Sequence, residues 1–324
     1  MKKVLLLISI LFMIVLLWVL VDAVLPKRAK AGDAEAQTEL GEKYYNGDGV
    51  AIDYKEAFKW YKLAAEQGYA YAQYKLGVMY TNGEGVAIDY KVSVKWYKLA
   101  AEQGFAIAQY NLGVMYENGR GVVQNHKEAV KWYKLAAEQG VAYAQYNLGL
   151  MYDNGEGVTQ DSKEAFKWYK LAAEQGDASA QFRLGLMYTN GRGVVQNHKE
   201  AVKWYKLAAE QGDAWAQYNL GWMYLNGEGV TQDSKEAFKW FKLAAEQGDA
   251  DAQNNLGGMY YNGDGVVQNN EQAYFWYLLA AANASGDLIQ KAKENRDIVA
   301  KKLSPAQVER IQREAANWKP KVSE

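Results

Sequence analysis

Seven near-identical units of 36 residues run from Gly32 to Asn283 and leave little freedom in what this chain can become. Gly32, Gly68, Gly104, Gly140, Gly176, Gly212 and Gly248 open the units. Trp60, Trp96, Trp132, Trp168, Trp204, Trp240 and Trp276 share one column, and an Asn-Gly-x-Gly-Val run, first at Asn46, recurs in all seven. A fixed period of this length is the mark of stacked modules, each too small to bury its own apolar face and each contacting only its neighbours. A module copied this often places its chemistry in no single copy, so the pattern argues for a surface before a site.

One unit shows how the module folds. In Gly32–Gln67, Asp33 is placed to cap a helix whose Ala34, Gln37, Leu40, Gly41 and Tyr44 recur every three to four residues. Asn46-Gly47 ends it, and the glycines of Gly47-Asp48-Gly49-Val50 supply backbone angles closed to other residues. Asp53 opens a second helix, and Glu56 three residues on predicts a capping box. Ala57, Trp60, Tyr61 and Ala64 form its apolar stripe, and Gly68 stands where a left-handed cap is needed. The pairs Asp161/Glu164, Asn197/Glu200, Asp233/Glu236 and Asn269/Gln272 repeat this grammar. The second unit breaks it, with Val92 after Asp89.

These residues resemble a known family. The order A-x-A-Q-x-x-L-G-x-x-Y, N-G-x-G-V, A-x-x-W-Y-x-x-A-A is similar to the Sel-one-like repeat (SLR), a relative of the tetratricopeptide repeat. In the fifth unit it stands as Ala178, Ala180, Gln181, Leu184, Gly185 and Tyr188, then Asn190 to Val194, then Ala201, Trp204, Tyr205, Ala208 and Ala209. The resemblance implies an all-α, right-handed α/α superhelical solenoid of seven helix-turn-helix repeats whose first helices line a concave face. It also implies an adaptor or scaffold, often of bacterial envelopes or host contact.

The third and fifth units share one loop sequence, starting at Asn118 and Asn190, and the fourth and sixth share another, which points to duplication of a two-unit block. After Asn283 the pattern decays. Ser304-Pro305 with Gln307 reads as a helix start, and Val308, Ile311 and Ala315 give that helix one apolar face suited to covering the end of the array. The expected organisation is therefore 1–31, an N-terminal targeting segment with a short basic linker; 32–283, the repeats; and 284–324, a helical cap.

Met1-Lys2-Lys3 precedes Val4–Val21, all apolar except Ser9. As a helix this run would span about 27 Å, close to a bilayer's hydrocarbon thickness. Two readings stand. An uncleaved single-pass anchor in a bacterial inner membrane, with the repeats in the periplasm, fits the length of the run and the Lys27, Arg28 and Lys30 beyond it. A cleaved signal giving a soluble periplasmic or secreted protein fits the small-x-small triplets Val21-Asp22-Ala23 and Ala29-Lys30-Ala31.

Chemistry is sparse. The chain has no cysteine and two histidines, His126 and His198, at one loop column two units apart, which leaves no thiolate or paired-histidine metal site and no His-based triad. No Gly-Lys-Ser/Thr follows the Gly-x-Gly loops, so they read as turns and not as phosphate cradles. Asp153-Asn154-Gly155-Glu156-Gly157 lacks the oxygen ligand spacing of a calcium loop. No cofactor and no enzymatic activity are expected. Net charge is −1, and with five of the basic residues in the first 31 the repeats are mildly acidic, which speaks against nucleic acid.

What remains is where the copies disagree. On the first helix, three columns share a face away from the packing stripe. They read Glu35, Tyr71, Ile107, Tyr143, Ser179, Trp215, Asp251; then Glu39, Lys75, Asn111, Asn147, Arg183, Asn219, Asn255; then Glu42, Val78, Val114, Leu150, Leu186, Trp222, Gly258. Tyr71, Lys75, Ile107, Asn111, Tyr143, Asn147, Arg183, Trp215, Asn219 and Trp222 are the candidate partner-binding residues, because aromatic and arginine side chains dominate interface energetics. The competing reading packs these aromatics against the adjacent unit. The expected function is a protein- or peptide-binding scaffold of the cell envelope; the alternative is a receptor for cell-wall glycan or peptidoglycan fragments.

Overall fold

The computed structural model describes residues 24–321, which fold into helices joined by turns, with no strand among them. Two compact units divide after Gln160. The first holds a helix over residues 24–30 (α1), then α2 (Ala34–Asn46), α3 (Tyr54–Glu66), α4 (Ala70–Asn82), α5 (Tyr90–Glu102), α6 (Ala106–Asn118), α7 (His126–Glu138) and α8 (Ala142–Asn154). The second holds α9 (Ser162–Glu174), α10 (Ala178–Asn190), α11 (His198–Glu210), α12 (Ala214–Asn226), α13 (Ser234–Glu246), α14 (Ala250–Asn262), α15 (Asn270–Asn283), α16 (Asp287–Ala300) and α17 (Pro305–Asn317). Within each unit the helices from α2 to α16 pack each on the next in chain order, the all-α solenoid that the period requires, and α17 packs back on α15.

The core is assembled from parts of successive repeats. In the first unit Val94, Tyr97, Ala100 and Ala101 of α5, Ala108, Leu112 and Met115 of α6 and Trp132 of α7 form one buried cluster. Alanines let the helix axes approach, and the large side chains fill what is left; burying each Leu, Met or aromatic contributes roughly 1.5–3 kcal/mol. The first-helix glycine is part of this fit. A Cβ on Gly77 would stand 2.4 Å from the Tyr97 ring, and one on Gly185 2.4 Å from Tyr205.

Each first helix ends at a left-handed glycine, as at Gly47 with φ +82°. Asp53 accepts from the Lys55 and Glu56 amides. The predicted capping box is only half made, however. The Asp53 N–H donates to Tyr44 O at 2.9 Å, back onto the preceding helix, and Glu56 pairs with Lys59 instead. The same backbone bond joins Asp89 to Tyr80, Asn125 to Tyr116 and Asn197 to Tyr188. With the cap residue's own N–H already used, the third position has nothing to accept, which is why Val92 does no harm.

Glutamines tie the repeats together. Gln73 Nε2 donates to Ala65 O at 3.2 Å, and its oxygen accepts from Gln103 Nε2 at 2.7 Å. Gln109 and Gln217 make the same two bonds with Ala101 and Gln139, and with Ala209 and Gln247. These glutamines are buried, so both ends of each amide are satisfied where an unmade bond would be costly.

Two regions depart from the expected organisation. The stretch read as a basic linker is helical over 24–30, with Leu25 and Ala29 buried against Ala36 and Leu40. Past Asn283 a helix unforeseen in the sequence, α16, precedes the predicted one, α17. Ser304 and Gln307 close a full capping box there, and Ile311 is buried with Tyr274, Tyr277 and Val299. Val4–Val21 lies outside the described residues; among those described, no helix is long and apolar enough to cross a membrane.

Candidate functional site

The variable columns lie along α2, α4, α6 and α8 in the first unit and along α10, α12 and α14 in the second. In each, side chains three or four residues apart form one partly open face.

The first-unit candidates divide into internal crosslinks and free groups. The Tyr71 hydroxyl donates to Glu42 of the preceding repeat, and its ring meets Phe105 edge-on at 5.9 Å. Lys75 Nζ sits 4.3 Å from the centre of the Tyr45 ring and 5.7 Å from those of Tyr61 and Tyr71; burial pushes its pKa down, against the pull of Glu42 and Glu84. The Tyr45 hydroxyl in turn donates to Glu84 Oε2 at 2.7 Å. Tyr71 and Lys75 therefore fasten the first two repeats to each other. Asn111 is half-buried, and Asn147 lies against the Tyr133 hydroxyl, which also donates to Glu117; burial, reinforced by Glu117, drives that phenol's pKa upward. Ile107 is open to solvent, and Tyr143 is 65% exposed with its ring 6.2 Å from Tyr110.

In the second unit Trp215 is 61% and Trp222 44% exposed. Both lie on one face of α12, two turns apart, with Tyr218 between them. Burial raises the Tyr218 pKa, while hydrogen bonds from Trp222 and Asn255 lower it. Asn219 is half-buried, and its Nδ2 donates to Trp215 O at 2.8 Å. Arg183 is half-buried on α10, and Asp251 is exposed on α14. By contrast, the tryptophans of the shared column are buried or half-buried; Trp132, Trp168, Trp240 and Trp276 all hide their indole nitrogens.

A further column, which the sequence motif leaves unspecified, belongs to this face. Tyr74, Tyr110, Phe182 and Tyr218 are half-buried and lie 5.8–6.2 Å from the second-helix rings of Tyr97, Tyr133, Tyr205 and Phe241. They floor the strip on which the variable residues stand. The available signal was their place between the first two of the three variable columns, and their loss to Thr38 and Asn254 in the first and last repeats. Among the described residues no group of three or more His, Asp or Glu is arranged to hold a metal ion.

The Sel1 repeat family model matches residues 34–69, 70–105, 106–141, 142–177, 178–213, 216–249 and 250–285. The chain belongs to the Sel1 repeat family. A Sel1 repeat protein from Oxalobacter formigenes, known from a crystal structure, is 38% identical; the match covers 83% of this chain and 78% of that one, with a TM-score of 0.66. A protective antigen present in uropathogenic Escherichia coli strains, displaying an SLR fold, is 30% identical over 91% of this chain and 93% of its own, with a TM-score of 0.47. Among curated proteins none matches. Sel1 repeat proteins mediate protein–protein interaction, and their solenoid is typically a non-catalytic scaffold.

Proposed function

We propose that this Sel1 repeat chain is a non-enzymatic scaffold of the bacterial cell envelope that holds a protein or peptide on the open face of its first helices. The observation that carries the reading is the exposed pair Trp215 and Trp222 in an array whose other repeat tryptophans are packed. Large aromatic rings left in water on one helix face, with Asn219 between them on α12, have the composition of a binding hot spot. The envelope part rests on the apolar run Val4–Val21 and its basic flanks. Tyr143 and Ile107 offer a second apolar contact within the first unit.

A photo-crosslinking residue at Trp215 in the full chain, irradiated in intact cells, should yield a discrete protein adduct. The same residue at Val123, a loop position 89% exposed, should not. In unlabelled chain, Trp215→Ala with Trp222→Ala should abolish co-purification of that adduct partner while leaving helicity and Tm unchanged. A fall in Tm comparable to that of a buried tryptophan would return the pair to the core. The Asn219 and Asn255 amides and the Asp251 carboxylate around Tyr218 also suit a sugar. Retention on peptidoglycan, lost in the double variant, together with no protein adduct, would establish the glycan-receptor reading in its place.

A further inference from the structure

The helix over residues 24–30 repeats, 36 residues early, the end of α3. Residues 24–30 are helical and 31–32 form a turn, as do 60–66 and 67–68. Gly32 N–H donates to Ala29 O at 3.1 Å and Asp33 N–H to Arg28 O at 3.2 Å; Gly68 N–H donates to Ala65 O at 3.0 Å and Tyr69 N–H to Ala64 O at 3.2 Å. Gly32 and Gly68 share the left-handed backbone, φ +98° and +90°.

The tertiary contacts keep the same register. Gln37 Nε2 donates to Ala29 O at 3.0 Å, as Gln73 does to Ala65 O. Ala29 is as buried as Ala65, Leu25 occupies the position of Tyr61, and Trp60 packs on the cluster that Leu25 and Ala29 form with Ala36 and Leu40. An arginine–carboxylate contact of 2.7 Å between Arg28 and Asp33 closes the corner.

We infer that residues 24–31 are the second half of a preceding repeat and belong to the folded body, so that leader removal, where it happens, leaves Val24 and everything after it in place. Of the two small-x-small triplets, Val21-Asp22-Ala23 ends just before this helix, and cutting after it leaves the helix whole. Cutting after Ala31 would strip Leu25 and Ala29 from the core and leave the buried Gln37 amide without its acceptor, which argues against that site. The Ala29–Ala31 triplet lies in a packed helix end and its turn, where a protease needs extended chain. The same register leaves only Asp22 and Ala23 between the apolar run and the folded body. Two residues reach at most about 7 Å. On the anchor reading the first repeat therefore stands at the membrane surface, without a tether.

The full chain, produced in a bacterium that exports it, is purified and its intact mass measured. A mature start at Met1, or anywhere up to Val24, is expected; a start at Leu25 or later, Gly32 above all, overturns the inference. Hydrogen exchange on the full chain tests the half-repeat itself. Ala29→Asp should raise exchange across Ala34–Asn46 at least tenfold and leave His126–Glu138 unchanged. The milder Leu25→Ala should act in the same place, and Lys30→Asp, at an exposed position, should act nowhere. Unaltered protection of Ala34–Asn46 in both Leu25→Ala and Ala29→Asp would overturn it.

Discussion

Three glycines of the first unit separate two reasons for having glycine in a loop. Gly49, Gly121 and Gly140 all take positive φ, +76°, +72° and +91°. Around Gly49 and Gly140 an added Cβ would find nothing within 4 Å. At Gly121 it would stand 2.2 Å from Tyr90 O, 2.4 Å from Tyr90 C and 2.9 Å from Lys91 N, because this loop lies on the first turn of the preceding repeat's second helix. Alanine at any of the three carries the left-handed penalty of about 1–2 kcal/mol. At Gly121 it must also open the backbone contact by about 1 Å to reach an ordinary C···O separation near 3.3 Å. Strain of that kind costs a further ~1–3 kcal/mol, since the obstacle is main chain and cannot rotate away. At about 2–4 °C per kcal/mol, Gly121→Ala should melt roughly 2–12 °C below Gly140→Ala. Circular dichroism gives the melting temperatures, and hydrogen exchange should show lost protection over Tyr90–Val94 in Gly121→Ala alone. Gly49→Ala checks that the effect is not merely that of loop glycines. If Gly121→Ala and Gly140→Ala melt together, the close approach contributes nothing and only the backbone angle matters.

Other outcomes follow from the same packing. Gln109→Leu removes the bonds to Ala101 O and from Gln139 Nε2, and should lower stability by about 1–3 kcal/mol in urea unfolding. Trp132→Ala should cost about 3–5 kcal/mol, whereas Trp132→Phe should cost much less, because the indole nitrogen it deletes has no acceptor. Burial pushes the Tyr97, Tyr205 and Tyr277 phenols up to about 12 from an unfolded value near 10. The folded state is favoured wherever these groups are protonated, so their contribution is complete below pH about 10 and is lost as pH rises through about 12. The part of the phenolate absorbance that is lost in Tyr97→Phe, Tyr205→Phe and Tyr277→Phe should therefore rise together with loss of helicity. If that part rises near pH 10 with helicity intact, the burial is contradicted.

Legibility tracked how far along the chain a contact reaches. Asn46-Gly47 and Gly68 announce helix ends because a left-handed angle is a local demand, and Ala57–Trp60–Tyr61–Ala64 shows its buried face by spacing alone. The capping box failed at Asp53 for a reason no local motif carries, a backbone donor already committed to Tyr44. Gly121 looked like a turn residue; that it also clears Tyr90 depends on a residue 31 positions away. On the candidate face, Trp215 and Trp222 stand out in sequence as exceptions and remain exposed in the fold. Lys75 looked equally free, yet Tyr45 and Tyr61 enclose it, and those rings come from a different repeat. Residues 24–31 share too few letters with a second helix to be recognised, since only Ala29 and Gly32 keep the repeat's identities there.

The contacts that bind neighbouring repeats share a direction. Gln73 reaches back to Ala65, Gly85 rests on Tyr54, and Trp132 fills a cluster begun at Val94. In each case the later repeat docks on a surface synthesised before it, and adds the side chains that finish the earlier repeat's core. During translation, then, a repeat leaving the ribosome meets its template already folded, and the growing chain can settle stepwise from the N-terminal end without waiting for its last helices. A chain released early would keep its earlier repeats but leave the last of them open, without the α16 and α17 that cover α15.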